Sequence, residues 1–156
     1  MAGLITQDPT HTKSSGTWTT HADTQYGQLL CFSTLLRAAA DGTFNSEIFS
    51  KNCPWPIRIV DIVYYLRTLR TGGTPDHDIR IFAGDGAASE AFTAITDSLD
   101  IDGVTPDAPT RFGTLDDAET DIGLNKSLRA QLIVGGTTTT GAALVEVCVF
   151  AQRVKA

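Results

Sequence analysis

Residues 128–154 read LRAQLIVGGTTTTGAALVEVCVFAQRV, and the fold class turns on this stretch. Leu128, Ala130, Leu132 and Val134 alternate with Ser127, Arg129, Gln131 and Ile133. Further on, Val145, Val147 and Val149 alternate with Leu144, Glu146, Cys148 and Phe150. A period of two is that of a strand with one face in a core. The GGTTTTG between the runs predicts a polar turn, so the chain is expected to close on a hairpin. Neither strand carries a constellation with chemistry on it.

Upstream, CPWPIRIVDIVYYLRTLRTGGTPDHDIRIFAG is nearly as legible. Pro54 and Pro56 force extended backbone and exclude a helix at that point. Ile57 to Leu69 then reads as a long strand rich in β-branched and aromatic residues. One face carries Val60, Ile62, Tyr64 and Leu66; the other carries Ile57, Ile59, Val63 and Tyr65, broken by Asp61 and Arg67. Both faces are therefore apolar, which predicts cover from the chain's own core on one side and from another body on the other. TGGTPDHD is a turn cluster, and Asp78 to Phe82 is expected to return as the partner strand.

From Gln28 to Leu36 the apolar spacing fits a strand or a helical face. The Asp41-Gly42 pair predicts a turn into a second strand over TFNSEIFS. In the middle, Phe92, Ile95 and Leu99 permit a short helix, while the alternation through Ala91, Thr93 and Ile95 permits a strand. Asp102-Gly103 marks a turn, Thr114 with Asp117 reads as a weak capping box running to Ile122, and Asn125-Lys126 marks another turn. Many short strands between Gly, Thr, Pro and Asp turns give an all-β chain with at most one or two short helices. The expected architecture is a jelly-roll-like β-sandwich or barrel over residues 28–156.

Residues 1–27 differ in texture. They are rich in Thr, Ser, His and Gly, lack either period, and carry Leu4, Ile5, Trp18 and Tyr26 as apolar anchors. The segment reads as an extended arm whose anchors seat on a neighbour. Its opening, MAGLITQDPT, has neither the basic start nor the apolar core of a secretory signal. No apolar run approaches the ~20 residues of a membrane span. The net charge of −6, with scattered Lys and Arg, argues against nucleic acid as a partner. Cys31, Cys53 and Cys148 form no CxxC pair, and fit reduced thiols in a protein made in the cytoplasm.

The sites of possible chemistry are few. His77, between Asp76 and Asp78, has the makings of a ligand or general base, but a solvated turn is the expected setting. GDGAAS at 84–89 lacks the ending of a phosphate loop. DSLDIDG at 97–103 has calcium-loop texture, but the twelfth position of that loop falls on Pro109 instead of a bidentate Glu. There is no G-x-S-x-G elbow and no HExxH. The expectation is a protein that is not an enzyme and holds no metal or cofactor.

The run from Arg58 to Val154, with IRIVDIVYYLRT, IRIFAGDG, ITDSLDIDG, DDAETDIGLNKSLRAQLIV and the closing Gly-Thr segment, resembles decoration and head-fibre proteins of tailed bacteriophages. The resemblance implies a homotrimer on the outside of a capsid, made in the host cytoplasm and bound to the major capsid protein. Neither nucleic acid nor membrane is implied as a partner. Interface residues expected on this reading are Leu4, Ile5, Trp18 and Tyr26 of the arm, Trp55, Tyr64 and Tyr65, and the tip threonines Thr137, Thr138, Thr139 and Thr140. A tail-fibre or receptor-binding virion module with a glycan cleft is the alternative, and a hydrolase on a β-sandwich is a third reading.

Overall fold

Alternating burial organises the whole molecule. The computed structural model describes residues 13–14, 17–18, 29–50, 56–113, 115, 121–137 and 140–154. Twelve strands run through them in the order β1 Lys13–Ser14, β2 Thr17–Trp18, β3 Leu29–Ala38, β4 Gly42–Phe49, β5 Ile57–Thr68 and β6 Thr74–Gly84. There follow β7 Phe92–Ala94, β8 Leu99–Asp100, β9 Pro109–Arg111, β10 Asp121–Ile122, β11 Leu128–Thr137 and β12 Ala143–Arg153. The described residues contain no helix. The ambiguous stretches at 29–38 and 92–100 are thus strands. The capping box at Thr114 and Asp117 lies outside the described residues, and its far end, Ile122, belongs to β10.

Two antiparallel sheets pack face to face as a β-sandwich, open at its edges and not closed into a barrel. The first has the order β10-β5-β12-β3, with β9 also on β5; the second has β4-β11-β6-β7, with β8 also on β6. Lys13–Ser14 and Thr17–Trp18 form a separate two-strand ladder inside the segment expected to be an extended arm.

The expected hairpins are not hairpins. β11 pairs with β4 and β6, while β12 pairs with β3 and β5, so the GGTTTTG link crosses from one sheet to the other. β5 and β6 are likewise split between sheets, as are β3 and β4. Each long link arches over the core, which gives the jelly-roll-like wrap. Period two fixes which face is buried, but it does not choose the neighbour.

The core lies between the sheets. Val145, Val147, Val149 and Ala151 of β12 face Leu128, Ala130, Leu132 and Val134 of β11, all essentially enclosed. Tyr64 stacks edge-on against Phe112 at 5.6 Å, and Phe32 against Phe49 at 5.2 Å. Arg70, only 8% exposed, ties three segments together by donating to the carbonyls of Ala39 and Gly141. Gly136 has φ +67° and lies so close to the Thr74 carbonyl that a Cβ there would overlap it. Only glycine fits that crossing.

Candidate functional site

The outer face of the first sheet carries an apolar groove that the described residues leave open, and β5 explains how it arises. Ile57 and Ile59 point inward, then Val60 is extra: Ile59 pairs with Ala151 and Asp61 with the adjacent Phe150. This bulge resets the alternation, so Ile62, Tyr64 and Leu66 also point inward. A second irregularity places Arg67 between the pairs Leu66–Val145 and Thr68–Leu144. The expected division, with Val60 beside Ile62, Tyr64 and Leu66, and Ile57 and Ile59 beside Val63 and Tyr65, is therefore corrected. One row gathers nearly all the large aliphatics, and the other keeps Val60, Val63 and Tyr65.

Those three join residues from the flanking strands. In one row across the sheet Arg111, Val63, Cys148 and Ser33 lie side by side; in the next, Pro109, Tyr65, Glu146 and Leu35. Of these, Val63, Tyr65, Pro109 and Arg111 line a groove of about 590 Å³ together with Leu29, Val60, Asp61 and Phe150, so that it touches β9, β5, β12 and β3. Leu29 is 59% exposed, Leu35 53% and Val60 41%. Single exposed apolar residues need no explanation, but a contiguous apolar groove on a sheet face marks a binding surface.

Charge enters the groove as paired groups: Asp61 and Arg111 line it, and Glu146 stands beside Tyr65. Arg111 pairs with Asp61 at 3.1 Å. Arg67 donates to Asp107 and Glu146 at 2.6 and 2.7 Å, with its guanidinium over the Tyr65 ring. Arg58 grips Asp121 at 2.7 and 3.0 Å and holds that carboxyl below the usual range through these hydrogen bonds. Exposed pairs of this kind stabilise little, but they fix side chains in place. Burial pushes the Cys148 thiol up, with the neighbouring Cys31 adding to the shift.

The expected interface residues fare differently. Tyr65 is on the outer face. Tyr64 is not: it is 1% exposed, inside the chain's own core. Thr137 and Thr140 are exposed beside the sheet crossing, Thr137 facing Thr74 at 3.3 Å and Thr140 bridging to Thr71. The backbone of Trp18 lies in β2. Leu4, Ile5, Tyr26, Trp55, Thr138 and Thr139 lie outside the described residues. Sequence reading missed Leu29, Leu35, Pro109 and Phe150. The signal for Phe150 was its place on the polar row of β12; for the others only the sheet order could supply it.

Other candidate chemistry is spent on structure. His77 is not in a solvated turn but on β6, fully buried, with Nδ1 2.7 Å from Asp102 Oδ1 and its main-chain N–H donating to Oδ2 at 3.0 Å. Its Nε2 is enclosed and has no hydrogen-bond partner. Asp100 accepts from the Asp102 N–H at 2.8 Å, so two carboxylates of the calcium-like segment are already engaged. In the 84–89 loop, Asp85 and Glu90 accept the amides of Ala87 and Gly86. Among the described residues no three His, Cys, Asp or Glu are grouped to hold a metal.

No family model, curated protein or solved structure matches this chain.

Proposed function

We propose that the protein is a structural subunit of a virus particle, a decoration protein bound to the outside of a phage-type capsid. One observation supports this reading above the rest: a rigid sandwich that spends its polar clusters on itself leaves an apolar groove open on one sheet face. An enzyme needs convergent reactive groups that a substrate can reach. The one histidine–carboxylate pair among the described residues points into the core, with an imidazole that is 0% exposed. A cement protein needs a stiff body and surfaces that seat on neighbours. Modest individual contacts suffice because many copies engage one shell. On this reading the groove meets the major capsid protein, the chain assembles as a homotrimer, and the 1–27 segment adds contact area.

The test is co-sedimentation with capsids of the parent particle. Val60→Asp, in the groove and 41% exposed, should abolish binding while the unfolding midpoint changes little. Deleting residues 1–27 should leave a folded protein that no longer binds. If both variants bind as the full chain does, the decoration reading is wrong.

A second reading has an observation of its own. Tyr65 and Phe150 lie in the groove with the Asp61–Arg111 pair beside them, and a groove of that volume admits a small ligand. A glycan-binding virion module would use such a site. Its polar groups are paired with each other and its floor is apolar, which favours a protein partner. Saturable binding on a glycan array, with no affinity for capsids, would reverse the preference.

A further inference from the structure

The two sides of the sandwich are finished differently. On one side the segment from Phe92 to Ile122 supplies short pieces that cover the long strands: β10 and β9 lie along β5, while β7 and β8 lie along β6. Short terminal strands are a usual way to blunt a sheet edge. On the other side the sheets end in β3 and β4, and no described residue pairs with the outer edge of either. β4 carries Glu47 on its exposed row. β3 carries its one charge, Arg37, at the far end of its exposed row. Its stretch LLCFSTLL, residues 29–36, contains no charge, proline or glycine, and its outer row presents Leu29 and Leu35 as two of the most exposed large apolar side chains.

The positions of these residues are self-complementary. Leu29 and Leu35 stand three residues either side of Phe32, on the same face of the sheet. Two antiparallel copies of β3 related by a twofold axis at Phe32 would set Leu29 opposite Leu35 of the other copy, twice. Cys31 would then face Ser33, also twice. Directly opposite side chains on paired strands lie ~5 Å apart, so each leucine would lose much of its exposure to the other. The unpaired N–H and C=O groups of both edges would be satisfied in the same step, and no like charges would meet.

We infer that β3 is a self-association edge: two copies of this chain join through antiparallel β3–β3 pairing centred on Phe32, making one continuous sheet with the apolar grooves on a shared face. The isologous contact uses the same patch on both subunits. It does not rest on the capsid reading, since it concerns how copies meet and not what they decorate. It is also compatible with a trimer, which it would link to the next.

Disulfide crosslinking reads the register directly. In the full chain carrying Cys53→Ser and Cys148→Ser, Cys31 is the sole thiol; adding Ser33→Cys places a second thiol opposite it across the axis. Treatment with a small-molecule disulfide, which takes up the electrons and leaves as two thiols, should convert the chains to covalent dimers on a non-reducing denaturing gel. Omitting Ser33→Cys, or combining Ser33→Cys with Cys31→Ser, should lose the dimer. Leu35→Arg on the crosslinking background should lose it too, with the strand content of the circular dichroism spectrum retained. A chain that sediments as a monomer with no crosslink overturns the inference. So does equally efficient crosslinking through Cys31 alone, which would put the axis at another residue. Crosslinking without capsid affinity would sustain the edge contact and sink only the decoration reading.

Discussion

His77 and Asp102 show how a polar pair is made tolerable inside a sandwich. The carboxylate accepts from Nδ1 and from the main-chain N–H of the same residue, so one side chain satisfies two buried donors. Asp102→Ala should cost about 2 kcal/mol in denaturant unfolding, because both donors are then stranded. Adding His77→Phe should restore part of the loss, since one stranded group disappears. Asp78, the next residue on β6, has the opposite problem. Burial pushes its carboxyl up from the ordinary value of 3.8, and Asp76, Asp100 and Asp102 push it further. The folded chain therefore holds this proton more tightly than the unfolded chain does. That contribution to stability is complete below 3.8 and is lost as pH rises through the folded value. Asp78→Asn should raise the thermal midpoint at neutral pH, with the gain vanishing in acid below the carboxylate range. A midpoint difference independent of pH would show that Asp78 does not act through its charge.

At the scale of elements, the Val60 bulge does most to shape the surface. Without it, Ile57 and Ile59 could not share a face with Ile62, Tyr64 and Leu66, because a slip of one residue turns a strand over. Deleting Val60 should therefore destabilise by more than ~4 kcal/mol or abolish the unfolding transition. Val60→Thr should move the midpoint little, by about 0.5 kcal/mol or less. If the deletion were as mild as the substitution, the strand would be re-registering freely and the bulge would not specify the face. The same bulge explains a misreading of the sequence. Strict alternation through Val60 assigns the large side chains to two faces, whereas the folded strand sends nearly all of them inward and keeps Val60, Val63 and Tyr65 on the opposite face, where Val60 is the exposed one.

For the whole molecule, the all-β class, the long strands β4, β5, β6, β11 and β12, and the core rows of β11 and β12 were legible in the residues. Alternation of Val, Ile and Leu with polar partners is a local pattern, and it survives any choice of neighbour. The candidate site was legible only in part. Tyr65 could be named, but Leu29, Leu35, Pro109 and Phe150 come together because β3, β12, β5 and β9 lie side by side in that order. His77 stood in a run of aspartates that looked like a solvated turn, and became core only through a carboxylate 25 residues away. What the sequence determined by itself is the burial rhythm of each strand and the polar character of the links. Tertiary structure alone decided that links such as GGTTTTG cross between sheets, and which apolar residues remain outside. Strand partners are set by long-range pairing and by a one-residue bulge, neither of which a period of two can encode.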